Sequence, residues 1–350
     1  MQNSIDFDKA GQGISLSPLK EWLTDPLVSE ILINRPKEVF IEKNGQMLAY
    51  EVPELDSRYL STLFQVIAVA NNQVLTKLQP ILYGSLADGS RITLIIPNTA
   101  KHHTLSIRRK VVRDFNLNDY LGQEFYRRTK LITDLDDELA LLDDKERELI
   151  NQFKKVVALQ NEGNSAEVQL EINNFIKMAV INKKNIVFSG GTSSGKTTYL
   201  NACLKEIPQH ERVITIESPR ELEIPHRNSV SLLATKGEQG EAKVTNQDLV
   251  KSCMRLRPDR IIMGEIIGGE IIDFVSACTT GHEGSITTIH ANNPKLAFSR
   301  MAGLYKHNQI VMTDSEIINE LKGAIDVIIQ LGKEHDGRMA QSIWYKYSNF

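Results

Sequence analysis

The pattern of apolar and polar positions divides the chain into two halves of different character. In the first half, apolar residues recur at helical spacing over 57–72, and short strand-like runs cover 91–96 and 105–108. The run 39–42 is followed by Asn44 and Gly45, a pair that favours the positive φ angles of a tight hairpin turn. This mixture of strands and one helix predicts a small α+β domain over residues 1–112.

The stretch 113–165 is acidic and helical in character. Its apolar residues recur at steps of three or four residues or their sums, namely Leu135, Leu139, Leu142, Leu149, Phe153 and Val156. Acidic residues lie near the predicted helix start and lysines near its end, as the helix dipole favours. We interpret this stretch as a helical linker whose charges form a solvated face rather than a docking site.

The second half alternates helical stretches with short, continuously apolar runs. A helix is predicted over 166–182, and the strand-like runs are 185–189, 213–216, 260–263, 285–289 and 327–329. Strands that are buried on both faces have this continuous apolar character, as in a parallel sheet covered by helices. The pattern therefore predicts an α/β domain over residues 166–350 with a mostly parallel sheet.

The composition, net charge and cysteine content of the chain exclude several classes of protein. The chain has 350 residues, enough for two or three domains, and its apolar and charged fractions of 41% and 24% are those of a globular protein. A formal charge of −3 gives no general attraction to nucleic acid, and no apolar run reaches the roughly 18 residues that cross a bilayer. Cys203, Cys253 and Cys278 form neither a metal-binding pair nor a disulfide framework, which indicates a reduced, cytosolic setting.

One segment carries a specific chemical signal, because the pattern G-x-x-x-x-G-K-[ST] begins at Gly190. Its residues are Gly190, Gly191, Thr192, Ser193, Ser194, Gly195, Lys196 and Thr197, and Thr198 completes the expected nucleotide-binding set. The glycines let backbone N–H groups turn toward phosphate oxygens, and the following helix presents its positive end. Lys196 is expected to reach the β- and γ-phosphates and Thr197 to bind Mg²⁺, so the segment predicts a site for ATP and magnesium.

Three further polar residues follow apolar strands of the second half. Glu217 follows 213–216, Glu265 follows 260–264, and His290 follows 285–289. Ligands gather at the carboxyl ends of strands in open α/β sheets, so both carboxylates are candidates to position magnesium or polarise the attacking water. A strand-end carboxylate facing solvent or a structural histidine would give the same pattern, and for His290 the pattern alone favours the structural role.

Taken together, these segments resemble the secretion ATPase superfamily. Its P-loop, Asp box, Walker B segment and His box correspond to 190–197, 212–217, 257–265 and 280–292, in the expected order and spacing. The chain is most similar to the traffic ATPases of type IV secretion (VirB-type) systems. The resemblance implies a C-terminal RecA-like domain behind a smaller N-terminal domain, with ATP bound between them and Arg91 and Arg108 reaching the phosphates.

The resemblance also implies an assembly and a location. Its members form homohexameric rings on the cytoplasmic face of the bacterial inner membrane, where inner-membrane components and other ATPases of the secretion apparatus are their partners. Sequence-specific binding of nucleic acid is not expected. Within the site, Glu217 is favoured as the base and Glu265 as the Walker B residue that polarises water.

Two positions depart from the family pattern. Ser218 follows Glu217 where an aspartate is usual, and Ile267 lies close after Glu265 where an arginine is usual. The absence of that aspartate and that arginine is expected to affect the secondary contacts of magnesium and the turnover rate.

Several alternatives stay open on the sequence alone. A type IV pilus or type II secretion assembly or retraction ATPase has similar motifs, although many type II members carry a four-cysteine zinc module that is absent from this sequence. A ring that translocates nucleic acid needs a basic channel, for which the sequence offers only scattered lysines. A nucleotide-dependent scaffold without hydrolysis is the third alternative.

Overall fold

The computed structural model describes residues 15–109, 142–162, 165–218, 220–234, 244–308, 310–334 and 337–347. Two sheets, of six and seven strands, organise these residues into a smaller N-terminal part and a larger C-terminal part. No helix in the described ranges is long and apolar enough to cross a membrane.

The N-terminal sheet is antiparallel, with the strand order β3-β2-β1-β6-β5-β4. Its elements are α1 (Lys20–Thr24), β1 (Val28–Arg35), β2 (Glu38–Lys43), β3 (Gln46–Glu51), α2 (Ser57–Ala70), β4 (Ile81–Ser85), β5 (Arg91–Ile95) and β6 (Thr104–Arg108). The helices α1 and α2 contribute to one hydrophobic core with the sheet.

Local sequence explains the two elements that were predicted most sharply here. Asn44 and Gly45 adopt φ angles of 51° and 75°, so they form the tight turn between β2 and β3. The carboxylate of Asp56 accepts a hydrogen bond of 2.7 Å from the backbone N–H of Tyr59 and thereby caps α2. The predicted hairpin and helix are confirmed.

The C-terminal sheet has the order β13-β12-β7-β11-β10-β8-β9, and its described strands are parallel except for the pair β12 and β13. Its strands are β7 (Ile186–Gly190), β8 (Val213–Glu217), β9 (Ser229–Leu233), β10 (Arg260–Met263), β11 (Ile286–Ile289), β12 (Val327–Glu334) and β13 (Gly337–Tyr345). Its helices are α3 (Asp144–Glu162), α4 (Ser165–Ile181), α5 (Lys196–Leu204), α6 (Asn246–Cys253), α7 (Ile271–Thr279), α8 (Pro294–Tyr305) and α9 (Asp314–Ala324).

Helices cover both faces of this sheet. Residues of α3, α4 and α5 pack with one set of strand side chains, and residues of α6 to α9 pack with the other set. Every residue of β7, β8, β10 and β11 is buried, which is why these strands read as continuous apolar runs. The predicted α/β class, with a mostly parallel sheet behind a smaller α+β part, is confirmed.

The helix α3 falls within the stretch that we interpreted as a linker. Leu149 and Ile150 are buried in the same core as Phe175 of α4 and Tyr345 of β13. The Tyr345 hydroxyl also donates a 2.7 Å hydrogen bond to Glu146. These contacts attach α3 to the C-terminal sheet. Leu135 and Leu139 lie outside the described residues, and the division of the chain at residues 112 and 165 stays a prediction.

Polar contacts join the two parts of the chain. Arg212, which is fully buried just before β8, donates hydrogen bonds of 2.6 Å to the side-chain oxygens of Asn34 and Asn228. Arg257, three residues before β10, pairs with Glu42 of β2 at 2.5 Å. The N-terminal sheet therefore contacts the amino ends of β8 and β10, and the carboxyl ends of these strands point to the opposite edge.

Candidate active site

A cleft of about 440 Å³ lies at the carboxyl ends of the parallel strands. Its lining residues are Thr192, Ser193, Ser194, Gly195, Lys196, Thr197, Thr198, Ile216, Glu217, Ser218, Glu221, Leu222, Asn246, Gly264, Glu265, Ile267, Thr288, His290 and Arg338. The cleft brings the P-loop together with both predicted carboxylates and the predicted histidine. Ser218 and Ile267, the two departures from the family pattern, line it as well.

The P-loop connects the end of β7 to the start of α5. Ser193 and Gly195 have positive φ angles of 62° and 92°, which turn the backbone sharply before the helix begins at Lys196. Gly190 lies behind the cleft, where an added Cβ would be 2.6 Å from the carbonyl oxygen of Leu331. The loop therefore packs directly on β12, and the N-terminus of α5 faces the cleft as a site for anions.

Lys196 is held at the base of this loop. Its ammonium group donates hydrogen bonds of 2.9 Å to the carbonyl oxygens of Gly190 and Gly191. The residue is only 8% exposed, and this burial lowers the pKa of Lys196. Ser194 Oγ is buried without a hydrogen-bond partner among the described residues. The Lys196 ammonium group and the unpaired Ser194 hydroxyl, beside a helix N-terminus, are suited to bind the phosphates of a nucleotide.

Glu217 lies on the opposite wall at the end of β8. One of its carboxylate oxygens accepts hydrogen bonds of 2.7 and 2.6 Å from the backbone N–H groups of Glu221 and Leu222. Burial raises the pKa of Glu217, and these two hydrogen bonds oppose that shift. The residue is 3% exposed in this structure. Glu217 is therefore a positioned carboxylate with increased basicity.

A third carboxylate, Glu221, was missed by our sequence interpretation. The Thr197 hydroxyl donates a hydrogen bond of 3.2 Å to Glu221 Oε2. In the sequence, Glu221 is marked only by its position four residues after Glu217, and no periodic pattern supports that position as part of the site. Thr197, the predicted magnesium ligand, thus already contacts an oxygen donor of the type that Mg²⁺ prefers.

The donor set is suited to a magnesium ion that shares its coordination with phosphates. No group of three or more histidine, cysteine or acidic side chains in the described ranges could hold a metal ion by itself. Mg²⁺ commonly uses one or two carboxylates together with phosphate oxygens and water, so Thr197 with Glu221 or Glu265 at the cleft fits such an ion.

His290 connects Lys196 with Glu265. The distance from His290 Nε2 to Glu265 Oε1 is 3.0 Å, and that from His290 Nδ1 to Lys196 Nζ is 3.4 Å. Because an ammonium group can only donate, Nδ1 is assigned as the acceptor, and Nε2 then carries the proton and donates to Glu265. The histidine therefore links the lysine of the P-loop to Glu265 and is placed to hold that carboxylate in position.

The predicted arginines do not line this cleft. Arg91 is exposed at the start of β5 and lies opposite Arg108 of β6 in the sheet. Arg108 pairs with Glu30 of β1 at 2.6 Å, and Arg257 and Glu42 are among the charges that act on Glu30. Arg108 thus lies near the amino end of β10, away from the P-loop of the same chain.

A different arginine, Arg338, does line the cleft. Its Nε donates a hydrogen bond of 3.0 Å to the carbonyl oxygen of Ser193 in the P-loop. Arg338 lies on β13, an edge strand that our sequence analysis did not predict, and nothing in the local sequence connects it with residue 193.

A model of the family described as type II/IV secretion system protein matches residues 147–342, more than half of the chain. The chain belongs to this family. The matched range begins in α3, includes every cleft residue described above and ends in β13.

Relatives that match nearly the whole chain show its position within the family. The type IV secretion system protein VirB11 of Brucella suis is 35% identical over 346 residues, which are 96% of this chain and 90% of that protein. VirB11 of Agrobacterium fabrum is 31% identical over 339 residues, covering 95% and 92%. These relatives confirm the resemblance to the type IV secretion ATPases that the four motifs indicated.

A solved structure supports the same placement. The crystal structure of the VirB11 ATPase from the Brucella suis type IV secretion system, in complex with sulphate, has a TM-score of 0.81 and 33% sequence identity. The match covers 95% of this chain and 93% of that chain, so it includes both sheets.

Proposed function

We propose that the chain hydrolyses ATP and works as the motor of a type IV secretion system, in substrate translocation, pilus biogenesis or both. The observation that carries the proposal is the cleft itself. It places Lys196 of the P-loop within 3.4 Å of His290, which in turn contacts Glu265, with Glu217 on the facing wall. Membership of a family whose VirB11 relatives include a solved ATPase supports the proposal.

In this proposal the P-loop holds the phosphates of ATP. The backbone of 190–195 and the first residues of α5, including Thr198, surround them, and Lys196 offsets their charge. Bound Mg²⁺ would neutralise charge on the phosphates, with Thr197 as its protein ligand. The Thr197 hydroxyl can bind the ion through an oxygen lone pair while it still donates its proton to Glu221.

The two predicted carboxylates take different roles. We infer that Glu217 is the base that orients and activates the attacking water, because burial raises its pKa and leaves it a stronger proton acceptor than an exposed glutamate. Glu265 is held by His290 beside the P-loop, where its carboxylate would polarise the attacking water and help to hold bound Mg²⁺. In this proposal His290 holds Glu265 beside Lys196 through its two contacts.

The arginines are proposed to act between subunits. Arg91 and Arg108 do not line the cleft of their own chain in this arrangement of the two sheets, and we propose that they stabilise phosphate charge in the cleft of a neighbouring copy. Such sharing between copies favours a closed ring, and we propose a homohexamer. In the cell, the ring is proposed to lie on the cytoplasmic face of the inner membrane, in contact with inner-membrane components and other ATPases of the apparatus.

Steady-state phosphate release tests the enzyme proposal. Wild type should release phosphate from ATP in the presence of Mg²⁺, and Lys196→Ala should fall to background. Lys205→Ala is the matched control, because Lys205 lies at the opposite end of α5 and does not line the cleft. Equal background release from wild type and Lys196→Ala would contradict the proposal.

Mixing two inactive variants tests the ring. Subunits carrying Arg108→Ala keep an intact P-loop, and subunits carrying Lys196→Ala keep the arginine. If Arg108 acts in the neighbouring cleft, random mixing at equal amounts should restore about a quarter of the wild-type activity, since one interface in four combines both intact parts. Absence of any recovery would mean that the arginine does not act between subunits.

A further inference from the structure

Arg338 lies on the edge strand β13, and its side chain contacts the P-loop. Its Nε donates to the carbonyl oxygen of Ser193, and a Cβ added to Gly195 would lie 3.0 Å from Arg338 Cδ. Strand pairing explains this placement, because β13 pairs with β12 and β12 pairs with β7, the strand that leads into the P-loop. The side chain reaches the loop where the backbone turns toward the phosphate site.

The charges of the cleft make this arginine significant. Three carboxylates line it, namely those of Glu217, Glu221 and Glu265. The lysine and arginine side chains among the described lining residues are those of Lys196 and Arg338. Lys196 already donates hydrogen bonds to the backbone carbonyls of Gly190 and Gly191. A nucleotide brings several negative charges into this cleft, so a second protein cation would stabilise it in addition to Lys196 and Mg²⁺.

We propose that Arg338 is a phosphate-binding residue that acts on the nucleotide in its own chain. On binding, its guanidinium exchanges the neutral carbonyl of Ser193 for a phosphate oxygen. That exchange is favourable, because a hydrogen bond between two charged groups is stronger than one to a neutral carbonyl, and the planar guanidinium suits phosphate geometry. The proposal rests on the proposed function, since it assumes that the P-loop binds a nucleotide.

Three substitutions separate charge from hydrogen bonding. Arg338→Ala removes both, Arg338→Lys keeps the charge, and Arg338→Gln keeps a donor for the Ser193 carbonyl without the charge. Lys333→Ala is the control, because Lys333 pairs with Arg338 across the two strands, is exposed, and does not line the cleft. Each protein is titrated with fluorescent ADP and with a fluorescent, non-hydrolysable ATP analogue, at low and at raised salt.

Arg338→Ala and Arg338→Gln should both weaken nucleotide binding by about 10- to 100-fold, the range for loss of a hydrogen bond between charged groups. Arg338→Lys should recover part of that loss, and Lys333→Ala should bind within about twofold of wild type. The difference between wild type and Arg338→Gln should shrink as salt rises.

Two results would overturn the inference. Binding by Arg338→Ala within twofold of wild type would exclude a phosphate contact. Wild-type binding by Arg338→Gln together with weak binding by Arg338→Ala would show that the arginine only supports the loop through Ser193. If wild type itself binds no nucleotide, the proposed function fails, and that failure is visible before any variant is compared.

Discussion

Replacing Gly190 with alanine measures how closely the P-loop packs on the sheet. A Cβ at this position would lie 2.4 Å from Ser194 Oγ and 2.6 Å from the carbonyl oxygen of Leu331. The serine hydroxyl can rotate away, but the carbonyl belongs to β12, which pairs with β7 at this residue. Ordinary van der Waals contact begins near 3.4 Å, so about 0.8 Å must come from movement of the loop or of β12.

Overpacking of this kind typically costs about 1–3 kcal/mol, which corresponds to a Tm lower by about 2–12 °C for a domain of this size. The same movement displaces the N–H groups that face the phosphates, so nucleotide affinity should fall about tenfold or more. Thermal unfolding without nucleotide measures the first effect, and titration with fluorescent nucleotide measures the second.

The adjacent Gly191 provides the control. An alanine Cβ there meets no heavy atom of the described residues within 4 Å, so Gly191→Ala should keep its stability within about 0.5 kcal/mol of wild type. If the two substitutions lower Tm and affinity equally, or if Gly190→Ala changes neither, then the close packing of β7 on β12 does not hold the loop and the reasoning is refuted.

Two further predictions concern buried and half-buried charges. Because the pKa of Glu217 is raised, the folded chain binds its proton more tightly than the unfolded chain, and burial of the charged form lowers stability at neutral pH. Glu217→Gln should therefore raise Tm at about pH 7.5, and this gain should disappear toward about pH 4. A gain in Tm that grows on acidification would contradict the reasoning. Arg257→Ala leaves Glu42 without its arginine partner at the interface between the two sheets, so the free energy of chemical unfolding should fall by about 1–3 kcal/mol. Lys306→Ala, which removes an exposed ion pair, should cost less than about 1 kcal/mol, and equal losses would refute a special role for the Arg257 contact.

Much of the site could be predicted because its parts are local or share one geometric rule. The P-loop follows from glycine and lysine spacing, since positive φ angles and a helix start need only neighbouring residues. Glu217, Glu265 and His290 follow from their positions after apolar strands, because the carboxyl ends of parallel strands meet at one edge.

The edge strands and the contacts between distant segments were not predictable in this way. The strand β9 alternates between buried and half-buried positions, and β13 pairs antiparallel at the other edge, so neither has the continuous apolar run of the central strands. The contact of Thr197 with Glu221 depends on how the chain turns after β8, which periodicity does not report.

The sequence by itself determined the class of fold, the phosphate-binding loop and the strand ends that face it, because hydrophobic period, glycine geometry and helix starts are set over a few neighbouring residues. The tertiary structure alone decided which distant groups meet at that loop. It placed Arg338, 145 residues beyond Ser193, in the cleft, and it placed Arg108 in the N-terminal sheet, near the amino end of β10. These placements depend on strand order and on the packing of one sheet against the other, and strand order is a property of long-range pairing that no local pattern encodes.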